Sequence, residues 1–336
     1  MIEFESIWDE LLARKLTRRE WVRKRIVPEA SCAVYGAVLW PDARISLLLE
    51  CSAESVPARR ERPQAAGFSI EIEDLENGDR RLCLILNDPA WRTLFATLCG
   101  DLVKAVAEEP NSRTAVQSFL TKLGSWQDFM LRHGPGGLTK PERIGLVAEL
   151  LTLETWLLER CDGIEVVEAW SGPDHRAHDF MFGTRKLEVK GTTMRPARSF
   201  RASNLVQLDD SGLDDLFLCH VTMFEPSRLG RTLPDIVQDL KDRLSSDNPS
   251  ATDRFEEKLL LAGYLDAQAD LYRDETYSVD EFRLFRVTDS FPRLVPSSVP
   301  PGITDAEYTV ELAALDEWSV SGEEMIGTML GMTAYE

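Results

Sequence analysis

The sequence predicts an α/β protein in two parts, and three observations carry that reading. Apolar runs of strand character alternate with runs of helical period along the chain. The Gly/Pro cluster His133-Gly-Pro-Gly-Gly137 marks a boundary, with an N-terminal α/β domain over 1–133 and a second domain over 138–336. Leu216–Phe224, LFLCHVTMF, is apolar on both faces, as a strand buried within a sheet should be.

Residues 1–26 read as a helix with Ile7, Leu11, Leu12 and Leu16 on one side. Ala30–Glu50 reads as strands around a Pro41-Asp42 turn, and 67–75 with 80–87 as a hairpin across Asn77-Gly78-Asp79. Asp88 is a natural N-cap with Pro89 at the first helical position, starting a helix to about Glu109. A further helix spans 112–132. Beyond the boundary, Thr139 caps a helix that extends to about Arg160, with Glu149 and Glu154 both inside its apolar arc. A buried carboxylate needs a partner or a role, and position alone does not separate these two. Strands follow at 164–170, 203–208, 216–224, 282–288 and 308–312, with amphipathic helices at 233–244 and 254–265.

Residues 178–191 hold the constellation that carries chemistry. His178–Phe182 and Arg185–Gly191 read as a hairpin around Gly183-Thr184, pairing residues whose numbers sum to 367. Asp179 then stands opposite Glu188, and the two-residue period puts Lys190 on the Glu188 face. Phe180, Phe182, Leu187 and Val189 take the opposite, core-facing side. Two carboxylates and an amine on one patch suit phosphodiester hydrolysis. Asp179 and Glu188, with the Val189 carbonyl, are hard oxygen ligands for Mg²⁺ or Mn²⁺, and Lys190 can orient water or stabilise developing charge. Glu149 joins the set if its helix packs across this sheet. His178 faces away from the patch and is read as structural.

The net charge of −19 argues against a protein that coats nucleic acid by bulk electrostatics. Its distribution is uneven: residues 1–201 carry a net −2 and 202–336 a net −17, while Arg14–Arg25 and Arg185–Arg201 are basic. No apolar run reaches membrane-spanning length, and the acidic N-terminus has no signal-peptide core. Six scattered cysteines without a C-x-x-C pair suit reduced thiols in a cytoplasmic protein. His133, His175, His178 and His220 show no zinc-ligand spacing with them.

Several of these residues together resemble a known family. Gly145…Glu149 on a helix, Trp170-Ser-Gly-Pro173, His178-Asp179-Phe180, Leu187-Glu188-Val189-Lys190-Gly-Thr-Thr193 and Gln207-Leu208 look like the PD-(D/E)XK, restriction-endonuclease-like nucleases. Leu261-Ala-Gly-Tyr264 and Ser290-Phe-Pro-Arg-Leu294 are similar to a bacterial branch of that family. The resemblance covers roughly 140–310. It implies a mixed four-stranded sheet flanked by helices, dependence on Mg²⁺ or Mn²⁺, and cleavage of DNA, often within phage-defence or restriction systems. The implied site is Glu149, Asp179, Glu188 and Lys190, with Gln207 as a fifth member. Lys186, Arg195, Arg198 and Arg201 are the accompanying candidate DNA contacts.

Two departures from the family pattern stand out. Asp179 follows His178 rather than proline, whereas a literal Pro173-Asp174 lies in a turn; the strand context favours Asp179. Some relatives carry Q-x-x-x-Y, but Ser211 stands four residues after Gln207. Activity aside, a nuclease-like fold also suits a non-catalytic adaptor that binds DNA or a protein. Protein partners of a defence complex or a homodimer are expected, because non-specific DNA binding by so acidic a chain should be weak and salt-sensitive.

Overall fold

The structure is a computed structural model that describes residues 3–56, 67–174, 176–226 and 229–331. The first two residues of the expected N-terminal helix, His175, and the last five residues of the acidic C-terminal stretch lie outside it. The chain forms two compact units, Met1–Gly137 and Leu138–Glu336.

The first unit starts with α1 (Phe4–Leu12), which buries Phe4, Trp8 and Leu11. The expected helix over 1–26 stops there. Glu20–Ile26 is instead strand β1, paired along its length with β2 (Ala33–Trp40). Its Arg23, Lys24 and Arg25 are exposed and only Val22 and Ile26 are buried, so ladder pairing at a sheet edge overrides the local pattern. β3 (Arg44–Cys51), β4 (Phe68–Asp74) and β5 (Arg80–Leu86) complete an antiparallel sheet of order β1-β2-β3-β5-β4. The Asp88 side chain accepts from the Ala90 N–H as expected of a cap, and α2 (Arg92–Ala107) and α3 (Ser112–Arg132) follow. Trp8 stacks on Phe95 at 5.4 Å in the core.

The second unit opens with α4 (Lys140–Thr152), where the Glu142 carboxylate accepts from the Thr139 N–H at 2.7 Å. The helix expected to reach Arg160 widens into a π-turn over Leu153–Leu157. Residues 164–170, expected as a strand, are α5 (Gly163–Ala169). The β-branched run IEVVEA suggests a strand, but Asp162 caps it as a helix by accepting from the Ile164 N–H. The remaining elements are β6 (Phe180–Phe182), β7 (Arg185–Thr192), β8 (Ser199–Ala202), β9 (Asp215–Phe224), β10 (Arg231–Thr232), α6 (Leu233–Asp247), α7 (Pro249–Leu261), β11 (Thr276–Val287), β12 (Tyr308–Glu311) and α8 (Gly322–Met329). Ser203–Leu208, expected as a strand, is a set of turns in which Asn204 Oδ1 accepts from the Val206 and Gln207 N–H groups. The strand lies just before it, as β8.

A mixed sheet of order β10-β11-β9-β7-β6 organises this unit. β7 and β9 run parallel, and the other neighbours are antiparallel. β9 lies in the middle and is buried on both faces, as its composition predicts. Leu187, Val189, Phe217 and Cys219 pack into one core with residues of α4, α6 and α7; Leu216 and Leu218 face a second core with Phe200 and Val310. Gly191 lets α4 come close to β7: a Cβ there would stand 2.6 Å from Ala148 Cβ and 2.9 Å from the Ile144 carbonyl oxygen. That approach brings Glu149 to the sheet.

Candidate active site

β6 and β7 meet in the expected register: Phe180 opposite Leu187, Met181 opposite Lys186 and Phe182 opposite Arg185. The regular strand starts at Phe180, one residue after Asp179. Asp179 turns around the strand edge, where its Oδ2 accepts from the Val189 N–H at 2.7 Å. A residue's N–H and C=O project to the same side of an antiparallel strand. The Val189 carbonyl therefore faces the edge that β6 leaves open. On β7, Glu188 Oε1 receives Lys190 Nζ at 2.8 Å, and Lys190 also donates to Gln207 Oε1 at 3.1 Å. The Ser203 N–H fixes that same oxygen at 2.9 Å.

Glu149 arrives from α4. Its Oε2 accepts from Trp170 Nε1 at 2.7 Å, and Trp170 is fully buried against Phe255. Gly172 ties Glu149 to Asp179. A Cβ on Gly172 would lie 2.9 Å from Glu149 Oε2 and 3.0 Å from Asp179 Oδ1, so the two carboxylates flank a space that any side chain would fill. The competing acids are engaged elsewhere. Glu154 forms a two-point ion pair with Arg231, and Asp174 accepts from Lys258 Nζ at 2.9 Å.

Burial sets the electrostatics of this cluster. Burial first, then the Asp179 charge, hold the Glu149 carboxyl well above the usual carboxylate range. Burial raises Asp179 as well, against the pull of Lys190 and the Val189 N–H. Burial and then Asp179 push Glu188 up to about 8. Burial alone would lower Lys190, but Glu188, Asp179 and Glu149 outweigh it and raise the amine, which stays a cation. One buried carboxylate, Glu188, and two half-buried ones, Glu149 and Asp179, share one ammonium.

Such a cluster lacks positive charge. Glu188 Oε2 is buried without a hydrogen-bond partner, and the space above Gly172 is lined by two further carboxylate oxygens. Hard oxygen donors of this kind fit Mg²⁺ or Mn²⁺. Among the described residues no group of three or more His, Cys, Asp and Glu side chains is already gathered as a metal cage. Glu188 is turned to Lys190 and Asp179 to Val189 instead.

The candidate DNA contacts are placed less uniformly. Lys186 is buried, and its ammonium donates to the Gly183 carbonyl at 2.5 Å. Beside it, burial and then the Lys186 charge bring His178 down to about 4, so that ring is neutral. Arg201 is paired with Glu307. Arg195 lies over the Phe224 ring, 3.7 Å from its centroid, and is exposed, as is Arg198.

Sequence reasoning missed three supports. Trp170 and Gly172 were legible only as part of a motif, without roles. Lys258 gave no signal, being one cation on an amphipathic helix. It is fully buried and donates to the Trp170 carbonyl and to Asp174, pinning the turn that carries Gly172.

A mixed sheet flanked by helices, with acids converging from a helix and a hairpin beside an E-x-K lysine, defines a PD-(D/E)XK nuclease-like fold. A family model described as "Putative PD-(D/E)XK family member" matches residues 4–313, and the chain belongs to that family. No curated protein and no solved structure matches it.

Proposed function

We propose that the chain is a metal-dependent DNA endonuclease, hydrolysing phosphodiester bonds in the cytoplasm as part of a bacterial phage-defence or restriction system. The observation that supports this most is the approach of Glu149 and Asp179 to one point over Gly172, beside the Glu188–Lys190 pair. Glu149, Asp179 and Glu188, with the Val189 carbonyl, would hold Mg²⁺ or Mn²⁺. When bound, such an ion lowers the pKa of a water and neutralises charge on the phosphate. Lys190, kept cationic by its neighbours, stabilises negative charge developing on the phosphate oxygens. Gln207 holds the ammonium in place through Oε1. Trp170 aims Glu149, and the Val189 N–H aims Asp179. Arg195 and Arg198 contact phosphates beyond the scissile one.

Incubating linear, circular and single-stranded DNA with Mg²⁺ or Mn²⁺ tests the proposal. Wild type should cut, and Lys190→Ala and Asp179→Ala should each lose at least about 10²–10³ in rate. Absence of cleavage on every DNA form, without metal binding, would overturn it. DNA binding retained without any cleavage would instead favour a non-catalytic adaptor, the reading that the net −17 of residues 202–336 supports through partner binding. Delivery to DNA by a protein partner or as a homodimer follows from the same acidity.

No helix among the described residues is long and apolar enough to cross a membrane.

A further inference from the structure

One fully buried ammonium closes both ends of the turn that joins Glu149 to Asp179. Lys258 of α7 donates to the Trp170 carbonyl, to Asp174 Oδ2 at 2.9 Å and to the Glu168 carbonyl at 3.4 Å, which uses its three N–H bonds. Phe255, one turn earlier on α7, lies against the Trp170 ring with 5.6 Å between centroids. Between its two ends, the turn 170–174 touches both acids. Trp170 Nε1 donates to Glu149 Oε2 at 2.7 Å. The Ser171 and Gly172 N–H groups donate to the Asp179 carbonyl at 2.7 and 3.0 Å. The first residue of the turn therefore holds Glu149, the second and third hold Asp179, and Lys258 grips the first and the last.

Stability alone is a weak reason for an ammonium in this place. A buried ion pair gains little over apolar side chains of the same volume, because desolvation offsets its Coulomb attraction. What the ammonium adds is direction: three bonds from one point fix the Trp170 carbonyl and the Asp174 carboxylate relative to each other. We infer that Lys258 and Asp174 are positioning residues, whose bond sets the gap between Glu149 and Asp179 over Gly172 and with it the affinity for a divalent cation. Asp174, the aspartate of the literal Pro173-Asp174, then acts through Lys258 and not as a ligand. This deepens the nuclease reading and rests on it.

The test titrates Mn²⁺ into the metal-free full chain by calorimetry, at a temperature where each variant is folded. Lys258→Met keeps the volume and removes the three bonds, and it should weaken Mn²⁺ binding by about 10–100-fold, as loss of a residue behind metal ligands does. Asp174→Ala opens one end of the clamp and should weaken binding in the same direction. The Asp174 side chain is 26% exposed, so water can take the place of its carboxylate, and this variant decides the matter if Lys258→Met does not fold. Asp174→Asn keeps an acceptor for the ammonium and should bind Mn²⁺ as wild type does, which a metal-ligating Asp174 would not allow. Arg81→Ala, altered in the other unit, should also bind as wild type does, which separates lost affinity from lost stability. Wild-type affinity in folded Lys258→Met or in Asp174→Ala, or a loss in Asp174→Asn or Arg81→Ala equal to that in Asp174→Ala, would overturn the inference. Wild type that binds no Mn²⁺ would overturn both it and the nuclease reading. If DNA is cut but Mn²⁺ affinity ignores Lys258 and Asp174, the clamp falls and the nuclease reading stands. If Mn²⁺ affinity depends on them but no DNA is cut, the clamp stands and the nuclease reading falls.

Discussion

Two hairpins on this chain carry acids and bases in similar number and treat them in opposite ways. In β4–β5 each acid faces a guanidinium. Arg81 bonds Glu73 at 2.9 Å and Glu50 of β3 at 2.6 Å, Arg80 pairs with Asp74, and Arg44 with Glu71. Burial tends to raise Glu50, but its hydrogen bonds to Arg81 and Arg23 win, and its pKa falls. In β6–β7, the buried Glu188 and the half-buried Asp179 and incoming Glu149 share a single ammonium, and all three acids are raised. A charge pattern that only supports a sheet is balanced locally. In the second hairpin the acids are left short of positive charge, and the shortfall distinguishes the two hairpins although both look like charged strands in the sequence.

The largest expected effect comes from filling the gap between the acids. Gly172→Ala puts a methyl within about 3 Å of oxygens on both Glu149 and Asp179. It should cut metal-dependent DNA cleavage by about 10²-fold through misplacement of groups by an ångström or less. Far-ultraviolet circular dichroism should be unchanged, and an activity equal to wild type would remove Gly172 from the account. In the balanced hairpin the effect should fall on stability. Arg81→Ala leaves Glu50 and Glu73 without their shared cation and should destabilise the protein by about 2 kcal/mol in urea unfolding. Cleavage at permissive temperature should persist; loss of activity in a fully folded Arg81→Ala protein would break the contrast.

Much of the site was legible because β pairing is arithmetic. A two-residue turn at Gly183-Thr184 sets the register of every pair in β6–β7, and the alternation then assigns faces. β9 was legible from its unbroken apolar run. The misreadings share a cause, a local pattern overruled by a cap or a neighbour. Ile164–Ala169 carries β-branched residues, yet Asp162 makes it a helix. Glu20–Ile26 continues the helix read from Ile7, Leu11, Leu12 and Leu16, yet β2 lies alongside it. Ser203–Leu208 reads as a short strand, yet Asn204 folds it into turns, and this is what carries Gln207 to Lys190. The Trp170–Glu149 bond and the Lys258 clamp join residues 21 and 88 positions apart, separations that no local pattern encodes.

The role proposed for the unbalanced acids is to hold a divalent cation, and thermal melting with and without Mn²⁺ at pH 6 and pH 8 tests it most directly. Glu188 is raised from 4.5 to about 8, so its contribution to stability is complete below 4.5 and is lost as pH rises through 8. Metal-free protein should therefore melt lower at pH 8 than at pH 6. Acids that hold Mn²⁺ do so deprotonated, so under this proposal its stabilisation should be larger at pH 8, by about 2–4 °C for each kcal/mol gained. Asp179→Ala should abolish most of that gain. No Mn²⁺ effect on the wild type at either pH, or an equal effect on Asp179→Ala, would contradict the account.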